Sequence, residues 1–94
     1  WSVRGILRHL GNSERWYLDR LGLAEISADE LPRDVFERLA HSRGQLERVL
    51  PPLAGRDDLL RERNSEWWSP RKLLRYVIWH ELDHIEHIVR LITL

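Results

Sequence analysis

Ser69-Pro70-Arg71-Lys72-Leu73-Leu74-Arg75-Tyr76-Val77-Ile78-Trp79-His80-Glu81-Leu82-Asp83-His84-Ile85-Glu86-His87-Ile88-Val89-Arg90-Leu91-Ile92 is the stretch whose reading decides the fold. Ser69 suits the cap of a helix and Pro70 its first turn, where a missing N–H costs nothing. Beyond them the apolar residues recur with helical period, so a helix is predicted over 69–92. Its apolar arc holds Leu73, Leu74, Val77, Ile78, Ile85, Ile88, Leu91 and Ile92. His80 and His84 fall on one side of that arc and Glu81 near its middle. Residues four apart on a helix are stacked neighbours, so both imidazoles can point at one ion.

Working outward, residues 2–21 read as another helix, with Val3, Leu7, Leu10, Tyr17, Leu18 and Leu21 on one arc. Ser2 is its expected cap and Gly22 its stop. His9 lies on the rim of the arc with Ile6, Ser13 and Trp16. After a linker of mixed polarity, Pro32 is expected to open a helix over 32–50 that Pro51-Pro52 ends. Its inner stripe is Val35, Leu39, Leu46 and Val49, and His41 falls on the outer face with Asp34, Arg38, Gln45 and Arg48. Residues 53–67 read as a long connection with one short helical turn. No stretch alternates with period two, so strands are not expected. The class is all-α, with three helices in one domain over 1–94. A linker of ten residues spans about 33 Å when extended, enough to run back along a helix and leave the first two helices parallel.

Composition narrows the function. Acidic and basic residues balance at 15 each, which gives no electrostatic case for nucleic acid or an anionic membrane. There is no cysteine, which removes disulfides, thiolate ligands and a cysteine nucleophile. No apolar run approaches the ~20 residues of a membrane helix and no signal peptide is visible, so a cytoplasmic location is expected. The chain has no methionine and begins on Trp1 at a helix start, which is the expectation for a fragment without its natural N-terminus. Trp1-Ser2-Val3-Arg4-Gly5-Ile6-Leu7-Arg8 also echoes Trp68-Ser69-Pro70-Arg71-Lys72-Leu73-Leu74-Arg75. Both helices are expected to begin alike, with Trp packed on the first turn and Ser capping it.

Burying His80, Glu81 and His84 on an apolar face costs several kcal/mol unless each finds a partner. A divalent ion is one such partner, since neutral imidazole is its commonest ligand. Core histidines bonded to carboxylates are the other reading. Glu81 is either a buried ion pair with an arginine, or an acceptor for a ligating imidazole or a general base. His87 stands one turn past His84 and is a substitute ligand or a solvated side chain. His-Glu-x-x-His is also the zincin protease signature. The metzincin third-ligand position holds Arg90, however, and only ten residues follow His84. A third ligand must come from upstream, and His9 is the best placed.

Trp-Ser-Val-Arg-x-Ile-Leu-x-His-Leu opening one helix, with Trp-Ser-x-Arg-Lys-x-Leu-x(5)-His-Glu-x-x-His near the end, resembles the DinB-like metalloenzyme family. The resemblance covers essentially the whole chain. It implies helices two to four of an up-down-down-up four-helix bundle, with the first helix absent from this chain. It also implies a divalent metal, zinc or nickel, on His9, His80 and His84. Better-understood members resemble thiol transferases that use a low-molecular-weight thiol. The expected function is then thiol transfer to a small electrophilic molecule. No nucleic acid or membrane partner is expected from the charge balance, and the groove left exposed by the missing helix would favour a homodimer. A metal-dependent hydrolase using Glu81 as base and a non-catalytic helical stress or interaction module are the alternatives.

Overall fold

The computed structural model describes residues 2–93. Three helices carry the fold: α1 (Val3–Arg20), α2 (Val35–Val49) and α3 (Pro70–Thr93). The chain is all-α, as its periodicity predicts. The packing of Trp1 expected from the sequence echo lies outside the described residues.

Each helix begins and ends for a local reason. Ser2 caps α1, its hydroxyl accepting from the Gly5 N–H at 3.0 Å. The last turn closes through Gly22 N–H to the Asp19 carbonyl and Leu23 N–H to the Leu18 carbonyl, at 3.0 and 2.9 Å. That double bond needs a left-handed residue after the helix, and Gly22 takes it with φ of 72°. The second helix starts at Val35, not at Pro32. The Asp34 carboxylate accepts from the N–H groups of Phe36 and Glu37 at 3.1 and 3.0 Å, so Asp34 is the cap and not an outer-face residue. At α3 the expected cap forms, with Lys72 N–H donating to Ser69 Oγ at 3.2 Å.

The connection before α3 corrects the reading without strands. Arg61–Arg63 (β1) and Glu66–Trp68 (β2) pair as an antiparallel hairpin, with Arg61 opposite Trp68 and Arg63 opposite Glu66. Asn64 and Ser65 form its two-residue turn with φ of 51° and 66°. Positive φ at both positions marks the primed turn that matches strand twist. The strands are three residues each and carry no apolar alternation, so period-two analysis has nothing to detect.

Contacts fix the helix directions. Arg8 meets Arg33, Gly11 meets Ser42 and Glu14 meets Arg43, so α1 and α2 run the same way. His9 meets His84 while Tyr17 meets Tyr76, so α3 runs against α1. The α1–α2 approach is close because Gly11 has no side chain. A Cβ there would meet Arg38 Cγ at 3.0 Å, and Ser42 Oγ donates to the Gly11 carbonyl at 2.9 Å. This rotates α2 from its expected stripe: Ser42 and Gln45 are buried with Val35 and Leu46, and His41 is half-buried, not solvated.

Tyr17, Leu18, Leu21, Leu46, Leu53, Trp68, Leu73 and Val77 form the main core, where α1 ends and α3 begins. Ile6 and Leu10 extend the buried face toward the start of α1. Ile6, expected on a rim, is fully buried. Among the described residues no helix is long and apolar enough to cross a membrane.

Candidate metal centre

The antiparallel packing of α3 on α1 brings His9 against His80 and His84. The ring nitrogens are close: His9 Nε2 and His84 Nε2 each lie 3.1 Å from His80 Nε2. One ligand atom from each of the three residues falls within 4.8 Å of the others. Ring centroids are 4.4 to 5.0 Å apart and the rings are tilted or edge-on, so the nitrogens, not the faces, converge.

Proton chemistry alone satisfies this arrangement poorly. His80 Nε2 carries either one hydrogen or one lone pair, yet it has a second imidazole nitrogen at hydrogen-bond distance on each of two sides. A shared cation removes the conflict. Ligand nitrogens ~2.0–2.1 Å from a tetrahedral zinc stand about 3.3 Å from one another, close to the observed spacing. Burial holds His80 and His84 below the ordinary histidine pKa, and the neighbouring imidazoles add to the effect. Both rings are therefore neutral near pH 7, the form in which imidazole binds metal. The donor set, three nitrogens without sulfur, fits a divalent transition metal.

The surroundings complete the site. Ser13, one turn after His9, places its hydroxyl 3.4 Å from His9 Nε2. Tyr17 stands edge-on to His80 with centroids 5.8 Å apart, and behind it Tyr76 and Trp68 continue an aromatic wall. Burial raises the Tyr17 pKa, with Tyr76 adding to it, so its phenol stays protonated.

Glu81 is not among the convergent groups. Its carboxylate is ion-paired with Arg43 on α2, which also holds Glu14 on α1. One guanidinium thus spans two carboxylates and ties all three helices beside the histidines. Glu14 is 2 % exposed, and its pKa is pushed up to about 8, first by burial and then by the Glu81 carboxyl, against the pull of Arg43. Sequence reasoning missed Glu14 and Arg43. A signal existed, because Glu14 falls in the middle of the arc formed by Leu7, Leu10, Leu18 and Leu21. His87 and His41 stand outside the cluster, and both are half-buried.

A family model described as the DinB superfamily matches residues 1–88. No curated protein and no solved structure gives a significant match.

Proposed function

Since the chain belongs to the DinB superfamily, we propose that it holds a divalent ion, zinc or nickel, on His9, His80 and His84 and transfers a low-molecular-weight thiol to a small electrophile. Family membership and the histidine cluster are both consistent with metal binding. The observation that carries the proposal is the convergence of three Nε2 atoms from two helices that are distant in sequence. An ion held by three protein nitrogens keeps a position open and supplies the Lewis acidity that makes a thiol nucleophilic near neutral pH.

The chain's own groups do the rest. Burial keeps His80 and His84 unprotonated and ready to ligate. Tyr17 and Tyr76 offer an aromatic wall beside His80 against which a small apolar acceptor can lie. Arg43 keeps Glu81 engaged. The hydrolase alternative needs Glu81 available to take a proton from water, and that ion pair opposes it.

Metal analysis of the purified protein, followed by thiol-transfer assays with small electrophiles, tests the proposal. The parent is expected to hold one ion per chain. His9→Ala and His84→Ala are expected to weaken binding by more than the ~10–100-fold that loss of a ligand's supporting partner costs. Variants that retain metal as well as the parent would refute the three-histidine site. Metal binding without thiol transfer would leave the site standing and remove the transferase reading.

A further inference from the structure

Glu81 stands inside the His-Glu-x-x-His stretch that supplies two of the three imidazoles. On a helix of about 100° per residue it lies roughly 60° around α3 from His84, and residues three apart are surface neighbours. Carboxylate oxygen is an ordinary ligand of zinc-type ions. The local sequence of α3 therefore offers three ligand side chains, yet Glu81 is not in the group whose ligand atoms converge.

What turns it away comes from α2, a helix that contributes no member of the histidine cluster. Arg43 pairs its Nη2 with the Glu81 carboxylate, while its Nε donates to Glu14 on α1. The Glu14 side chain is only 3 % exposed, so this second acid is a fixed anchor. A guanidinium is a rigid, permanently charged fork, and tying its Nε fixes where Nη2 stands. The height of Arg43 is set by its neighbour Ser42, whose hydroxyl donates to the Gly11 carbonyl at 2.9 Å. Glu14 itself lies roughly 140° around α1 from His9. The clamp therefore draws Glu81 toward α2 and off the line of the histidines.

We propose that Arg43 is a positioning residue that withholds Glu81 from the metal, so that the remaining position on the ion is left to an incoming thiol. The inference rests on the three-histidine site and thiol reading given above. Catalytic sites of this kind keep one position open, whereas four protein ligands make a closed, structural site. Without Arg43 the chain supplies its own fourth ligand. A carboxylate tethered beside the ion competes at an effective concentration on the order of mM or above, so it displaces a small thiol of ordinary affinity.

The absence of cysteine gives the test a clean signal. With cobalt(II) as the probe metal and protein in excess over it, a thiolate-to-cobalt charge-transfer band can arise only from thiol added to the solution. Titrated with β-mercaptoethanol, the cobalt-loaded parent is expected to develop that band. Arg43→Met, which keeps an apolar stem and loses the fork, is expected to need about tenfold more thiol to reach its midpoint. Adding Glu81→Gln to Arg43→Met is expected to restore the parent's midpoint, a return that a merely structural role for Arg43 does not predict. A parent midpoint in Arg43→Met overturns the proposal, and so does a double variant no better than the single one. If circular dichroism shows that Arg43→Met loses its helices, Glu81→Gln alone decides. Its midpoint is expected to match the parent's, and a tighter one means that Glu81 already reaches the ion past Arg43, which overturns the proposal. A parent that binds cobalt without developing the band overturns it as well, since no position is then open to thiol. The transferase reading fails separately: a parent that shows the band and transfers no thiol to an electrophile removes that reading and leaves the role of Arg43 standing.

Discussion

At the scale of single residues, the largest electrostatic commitment is Glu14. An ionised carboxylate at 2 % exposure is costly, and with Glu81 sharing one guanidinium the two acids cannot both be ionised cheaply. The folded protein therefore keeps a proton on Glu14 up to about pH 8, whereas the unfolded chain releases it near 4.5. Between those values the folded state binds the extra proton, so Glu14's contribution to stability falls as pH rises through that window. The slope is up to roughly 1.4 kcal/mol per pH unit. His80 and His84 act in the opposite sense. Their folded pKa values lie below the ordinary 6.5, so they cost stability as pH falls below 6.5. Glu14→Gln keeps the shape and removes the proton. Denaturant titrations from pH 5 to 8 should show the variant gaining on the parent steadily toward pH 8. A constant difference across that range would mean that Glu14 is ionised in the folded protein.

At the scale of elements, most of what positions the site was legible in advance. The 3.6-residue period marked α1 and α3, and the His80–His84 spacing placed two nitrogens on one face of α3 before any coordinates. His9 was harder to read, because a rim residue on α1 joins the site only through the antiparallel approach of α3. What was not legible has physical reasons. The Asp34 cap was hidden by Pro32, which is equally at home in a first turn. The rotation of α2 follows from the close approach at Gly11, a contact between distant residues that no local pattern encodes. The hairpin escaped because its turn, Asn64-Ser65, departs from the Asn-Gly pair that favours this geometry. That departure carries a prediction. Ser65 sits at φ of 66° with a Cβ, where L-residues are strained by about 1–2 kcal/mol. Ser65→Gly relieves it and should stabilise the protein by roughly 1 kcal/mol, less the entropy glycine adds to the unfolded chain. Because Trp68 of the same hairpin is buried in the core, the gain should appear in global unfolding and not as a local change only. An unchanged melting temperature would show that the hairpin opens independently.

For the whole molecule, the balance of contacts would make a bound ion more than a reagent. A 94-residue chain buries a smaller share of its surface than a larger domain and has little stability in reserve. Its core is concentrated where α1 ends and α3 begins. Farther along, α3 is held to its neighbours by the histidine cluster and by the Arg43 clamp, both of which set like groups side by side. Three imidazole nitrogens in contact are a poor joint without a cation and a strong one with it, so ion binding should register as folding stability. At a free metal concentration 100-fold above Kd the linkage contributes about 2.7 kcal/mol. With roughly 4–8 °C per kcal/mol in a domain of this size, the melting temperature should rise by about 10–20 °C. A chelator should reverse the shift, and His80→Ala should abolish it, because that residue supplies the nitrogen common to both close contacts. Calorimetry of the stripped protein titrated with zinc or nickel measures all three. If metal binds stoichiometrically and the melting temperature does not move, the unfolded chain binds the ion as tightly as the folded protein, and α1 and α3 are not joined through it.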